Sequence, residues 1–184
     1  TDLSNINSGL TLTANLVNNA DISGNGNLGT VDKFNLESNA EVTMTKVQHD
    51  LLTIGSAGVG TNKITMSGLA SFNAESTIET YQLANVANNS ITLSSEAHTV
   101  IGGTAGDTII GGSGADTITG GTGLDSLSGG GGADTFKFSS GDAFTDVNSG
   151  GGNFETISDF TTGVDKLDVV GVTVDSLTKF NGEN

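Results

Sequence analysis

Four consecutive nine-residue units, GGTAGDTII, GGSGADTIT, GGTGLDSLS and GGGGADTFK, run from Gly102 to Lys137. They set Asp107, Asp116, Asp125 and Asp134 at a constant spacing of nine, each followed two residues later by Ile109, Ile118, Leu127 or Phe136. One acid, one apolar residue and paired glycines in every period predict a parallel solenoid whose turns carry calcium ligands. Glycine in the first, second and fourth places lets the backbone enter left-handed conformations and present carbonyl oxygens inward. The backbone candidates are Gly102, Gly103 and Thr104 in the first unit and Gly111, Gly112, Ser113 and Gly114 in the second. The third and fourth units supply Gly120, Gly121, Thr122 and Gly123, then Gly129, Gly130, Gly131 and Gly132. The aspartate in the sixth place adds a charged oxygen, which builds toward the oxygen-rich set of about six to eight ligands that calcium takes.

Two such units make one turn, so alternate units stack, Asp107 with Asp125 and Asp116 with Asp134. Two carboxylates about 4 Å apart repel by about 4 kcal/mol at an effective dielectric near 20, so each pair calls for a cation between its members. The turns are therefore expected to be disordered without calcium and to fold at the sub-millimolar to millimolar levels typical of extracellular modules.

These units resemble the glycine- and aspartate-rich repeats of the RTX family of secreted bacterial proteins, consensus GGxGxDxUx, over residues 102–137. The first unit departs from the pattern, with Ala105-Gly106 where Gly-x is expected. The following stretch, "ADTFKFSSGDAF…ETISDFTTGVDKLDV", resembles the segment that closes the roll in serralysin-type proteases. That resemblance implies that Glu155 and Asp165 ligate the last calcium ions, with Asp142, Asp146 and Asn148 as weaker candidates and Asp159 and Asp168 in structural or solvent-exposed roles. An EF-hand starting at Asp146 is rejected, because no glutamate stands at its twelfth place. The resemblance also implies export through a one-step type I channel, with calcium folding the chain only once it is outside.

The net charge of −15 argues against nucleic acid or an anionic membrane as partner and makes divalent cations the natural counter-charge. No run of about twenty apolar residues suits a membrane span, and no cysteine is present to form a disulfide or a thiolate metal site. Thr1 to Leu10 lacks the basic and apolar segments of a cleaved signal peptide, which suggests a fragment or processed piece.

Of 28 glycines, 13 fall between Gly102 and Gly132, which places a boundary near residue 98. The apolar phase nevertheless continues upstream through Val100 and Ile91, with His98 and Asn89 where the aspartates stand. Farther back, "GLTLTANL", "TVDKFNLE", "AEVTMTKV", "NKITMSG", "STIETYQLAN" and "NSITLSS" alternate apolar and polar residues between polar connectors, as short strands do. Asn25-Gly26 suits a tight hairpin and keeps an antiparallel sandwich open for residues 1–90. "TKVQHDLLTI" has Val47, Leu51 and Leu52 at helical spacing and could form a helical turn.

Neither His49 nor His98 has a partner at zinc-ligand spacing, so both read as surface or coil-packing residues, and Tyr81, Met44 and Met66 read as packing. No serine lies in a nucleophile-elbow pattern, and no catalytic constellation stands out. The expected architecture is all-β: a right-handed parallel β-helix over residues 1–98 continuing into a calcium-binding parallel β-roll with a C-terminal cap over residues 99–184. The expected role is non-catalytic, as the calcium-folded part of a type-I-secreted, surface-layer-like cell-surface protein that associates with itself or with cell-surface glycan. The tail of an extracellular protease or lipase and a calcium-dependent adhesin module are the alternatives.

Overall fold

The computed structural model of the chain describes residues 12–16, 20–21, 31–36, 39–50, 61–86, 88–140, 142 and 155–171. Expectations for Asn25-Gly26, Leu51, Leu52, Asp146 and Asn148, and for the part of the cap after residue 171, lie outside the described residues.

The chain is built from short strands separated by turns. In order they are β1 (Leu12–Leu16), β2 (Ala20–Asp21), β3 (Val31–Leu36) and β4 (Glu41–Met44), then a one-turn helix α1 (Lys46–His49). There follow β5 (Lys63–Met66), β6 (Ser71–Asn73), β7 (Thr80–Gln82), β8 (Ser90–Thr92), β9 (Thr99–Ile101) and β10 (Thr108–Ile110). Last come β11 (Thr117–Thr119), β12 (Ser126–Ser128), β13 (Thr135–Ser139), β14 (Thr156–Ile157) and β15 (Lys166–Val170). From β8 to β12 each strand is the last three residues of a nine-residue unit, and the glycines and small polar residues between strands redirect the chain. Alternation leaves one side chain of each triplet inside and two outside, and the outer places favour Thr and Ser, of which β-branched Thr suits extended backbone.

From β5 onward successive strands join different sheets. One sheet runs β14-β12-β10-β8-β6, a second β15-β13-β11-β9-β7-β5-β4-β2, and β1 and β3 form a two-stranded sheet of their own. Pairing is parallel throughout the described strands, including those before residue 90, so the sandwich considered there is not formed. The reason is geometric: a nine-residue unit has room for half a turn, and the next unit of the same sheet lies 18 residues on, as Thr108↔Ser126 and Thr117↔Thr135 show. The result is the parallel solenoid expected from the period.

Register sorts the inward residues into two columns. Phe72, Ile91, Ile109, Leu127 and Ile157 stack on one sheet. Val42, Ile64, Tyr81, Val100, Ile118, Phe136 and Leu167 stack on the other. Ile91, Val100, Ile109, Ile118, Leu127 and Phe136 are all buried, and one apolar cluster runs from Leu36 to Phe138 across residue 98 without a break.

Before residue 98 the core widens. Tyr81, Met44 and Met66 are buried, and the rings of His49, Phe72 and Tyr81 pack in tilted and edge-on contacts at centroid separations of 4.5 to 5.7 Å. Both histidines are interior packing residues, and burial drives the His49 imidazole down to about 4. The helical turn exists, but apolar spacing does not make it. Thr45 and Gln48 form a capping box, Gln48 and His49 face inward, and Val47 is exposed.

The glycines work differently from expectation. Within the four repeats, left-handed φ is confined to the last two, at Gly121 (96°), Gly123 (138°), Gly130 (80°) and Gly132 (113°). In the first two repeats the requirement is close approach: a Cβ on Gly102 would run into the Gly120 carbonyl and one on Gly112 into that of Ser94. Ala105 therefore fits, since its backbone is not left-handed.

Ile118→Ala is expected to cost about 2–5 kcal/mol in the calcium-loaded protein, through lost burial and a residual cavity. Val170→Ala on the exposed side of β15 is expected to stay within about 0.5 kcal/mol. Denaturant midpoints at constant m would show this, and equal effects would contradict the inward columns.

Candidate metal centre

Each repeat aspartate stands immediately before a strand, so the 18-residue register carries it directly over its counterpart one turn away. All four are buried, at 1 to 2% exposure. One carboxylate oxygen accepts the backbone N–H of the equivalent residue on the preceding turn: Asp107 N–H to Asp125 Oδ1 at 2.7 Å and Asp116 N–H to Asp134 Oδ1 at 2.8 Å. In the first two repeats the other oxygen turns back to its own loop, accepting from Gly103 N–H (2.7 Å, Asp107 Oδ2) and Gly112 N–H (3.1 Å, Asp116 Oδ2). The pairs Asp107/Asp125 and Asp116/Asp134 thus stack as the period requires, with an amide N–H between their members. These charge-assisted bonds tie turn to turn while the carboxylates stay available to a cation through their remaining lone pairs.

Burial pushes the carboxyls of Asp116, Asp125 and Asp134 above their ordinary value, against the pull of those amide donors. Buried carboxylates of this kind are stable as anions only when further positive charge reaches them. The side chains of Thr104, Ser113 and Thr122 point outward at exposed loop tips, so these residues and the surrounding glycines have backbone carbonyls to offer. Among the described residues no three acidic or histidine side chains gather with metal-ligand geometry, and a cation in these turns would draw chiefly on carbonyls plus one or two carboxylates.

The closing segment repeats the same rule after an interruption. Asp165 precedes β15 as Asp134 precedes β13; its Oδ1 accepts from Asp134 N–H (3.0 Å) and its Oδ2 from Thr161 N–H four residues back (2.7 Å). Glu155 precedes β14 in the same way, with Thr156 N–H bonded to the Asp125 carbonyl at 2.9 Å. Both acids occupy the sixth place of further units. Gly163, Asp165 and Leu167 keep the repeat spacing in the sequence, a signal hidden by the inserted residues between Lys137 and Glu155. Asp159, structural as expected, accepts from Ser128 Oγ (2.6 Å), Gly129 N–H (2.9 Å) and Gly130 N–H (2.7 Å). Burial opposes its ionisation, yet these donors win and hold its carboxyl below the ordinary value. Asp168 lies 3.7 Å from the Lys137 ammonium.

Glu155 differs from every other acid in the array. Among the described residues, both of its oxygens and Oδ2 of Asp125 are buried with no hydrogen-bond partner. Burial first, then the neighbouring charges of Asp125 and Asp142, drive the Glu155 carboxyl from 4.5 to about 8. Orphaned oxygens on adjacent carboxylates fit a hard cation, and Asp125 with Glu155 would hold one, Asp142 lending charge nearby. Asp165, with both oxygens served, acts first as a latch.

Residues 101–136 match the family model of the RTX calcium-binding nonapeptide repeat, in four copies. No curated protein and no solved structure matches the chain. The repeats bind several calcium ions and make this part of the chain a calcium-binding β-roll.

A raised carboxyl stabilises the metal-free fold when protonated, fully below 4.5, and that stability is lost as pH rises through about 8. Calcium bound at Glu155 keeps its carboxylate ionised in the folded protein. Glu155→Gln is expected to bind one ion fewer than the wild type by native mass spectrometry in calcium and to need severalfold more calcium to fold. An unchanged ion count and folding midpoint would remove Glu155 from the site.

Proposed function

We propose that this chain is the calcium-folded structural part of a secreted bacterial cell-surface protein, with no chemistry of its own, and that calcium binding completes its solenoid outside the cell. The observation that carries this reading is the double column of buried acids, one per nonapeptide, ending on oxygens that the protein leaves without donors. RTX repeats are characteristic of secreted bacterial proteins, and no described helix is long and apolar enough to cross a membrane.

The physical logic is linkage. Calcium at about ten times its dissociation constant adds roughly 1.4 kcal/mol per site, so three sites add about 4 kcal/mol, comparable with the stability of a small domain. Low calcium inside the cell then leaves the repeats unfolded for export, and high calcium outside folds them. The boundary near residue 98 divides turns that need the ion from turns that do not. Ligands come from Asp107, Asp116, Asp125, Asp134 and Glu155, from Asp165 as it closes the last turn, and from the carbonyls of the glycine loops.

A surface-layer-like role fits the rest of the molecule: a strongly acidic, many-stranded rod whose sheets offer rows of Ser and Thr to neighbouring copies. Circular dichroism during a calcium titration should show β-structure gained on addition and lost to chelator, with light scattering rising in parallel as copies associate. A spectrum indifferent to chelator would sink calcium-driven folding. A monomer at all calcium levels would sink self-assembly and leave the folding role.

A further inference from the structure

The acid ladder does not stop at the first repeat; its acceptors change chemistry. Stepping back one turn from Asp107 reaches Asn89, 1% exposed, and from Asp116 reaches His98, 3% exposed. Both keep the ladder bond, Asn89 N–H to Asp107 Oδ1 at 3.0 Å and His98 N–H to Asp116 Oδ1 at 2.8 Å. Neither brings a buried negative charge.

The Asn89 carboxamide is the informative group. Its oxygen is identified by the Ala70 N–H that donates to it at 3.2 Å, so the other atom is the NH2. That NH2 faces three oxygens: the Ala84 carbonyl at 2.9 Å, the Val86 carbonyl at 3.1 Å and Asp107 Oδ1 at 2.9 Å. Ala84 and Val86 hold the first and third places of the unit 84–92, and Asp107 is the acid of the next turn. One turn on, the corresponding group is the Asp107 carboxylate, which carries no protons to offer the equivalent carbonyl of Thr104 or the acid of the turn beyond, while the Gly102 carbonyl accepts from Gln82 Nε2 at 3.2 Å. On the calcium reading of these turns, a cation serves the oxygens left there.

We infer that the Asn89 carboxamide is a resident substitute for the cation: it donates to the oxygens that would otherwise ligate calcium, and so ends the metal array on that side of the solenoid. His98 ends the other side. Its Nδ1 donates to the Ile78 carbonyl (2.8 Å) and its Nε2 pairs with the Ser94 hydroxyl (2.7 Å), so both ring nitrogens are satisfied. Together with the wide core behind them, these residues keep the turns from Asn62 to Ile101 in shape without metal and present formed edges on β8 and β9 for the calcium-dependent strands β10 and β11 to join.

This inference rests on the calcium reading of the downstream turns, and two measurements on the full chain separate the two. In chelator, hydrogen exchange of the wild type is expected to retain protection over 84–101 while 102–137 loses it. Loss of both segments in step would overturn the inference while leaving calcium-driven folding intact. Asn89→Asp, nearly isosteric, replaces donors with a carboxylate against Asp107. In calcium it should bind one more ion than the wild type by native mass spectrometry, and in chelator it should lose the protection of 84–92. An unchanged ion count with protection retained would overturn the inference. Wild-type protection of both segments in chelator would instead sink calcium-driven folding, and the Asn89→Asp ion count would then decide alone: one more ion for the substitute, the same count against it.

Discussion

The interaction on which this solenoid depends is the bond from a backbone N–H to a side-chain oxygen at the same place one turn later. It joins Asn89 to Asp107, Asp107 to Asp125, His98 to Asp116, Asp116 to Asp134 and Asp134 to Asp165. Strands of three residues contribute few ladder bonds, and this bond extends the stacking into the turns. It also fixes where each of the four repeat acids must be: buried, in register and beside another acid.

That placement is why structure and metal binding are one problem here. The carboxylate that satisfies an amide also concentrates negative charge in the interior, and burial raises its affinity for protons. Amide donors offset part of the cost, but they run short at Asp125 Oδ2 and at both Glu155 oxygens, which have no hydrogen-bond partner among the described residues. Upstream, Asn62 and Asn89 serve as neutral acceptors for Ala40 and Ala70 N–H, the half-buried Glu79 accepts from Asn62 N–H, and aromatic and methionine side chains enlarge the core. The chain thus grades from turns stabilised by apolar packing to turns whose stability is tied to a cation.

The reading of individual positions divides along the same line. The inward residues from Ile91 to Phe136, the stacking of alternate acids and the two-sheet path follow from a period of nine. The equivalence of Glu155 and Asp165 with the repeat acids was hidden, because inserted residues break the count while the strands resume their register. The role of the glycines was only partly legible: a Gly spared a left-handed φ looks the same in sequence as one that needs it, and steric need depends on the carbonyl of another turn.

What the amino-acid order determined by itself was the local grammar: which residues turn, which face inward, and where an oxygen ligand recurs, because each of these depends on neighbours within nine positions. What only the tertiary structure decided was which oxygens keep a donor and which do not. Asp165 and Glu155 look alike as acids in a tail, yet one meets two amides and the other none. The difference arises because hydrogen-bond supply at a buried site comes from turns 18 or more residues away, whose distance and orientation no local pattern encodes.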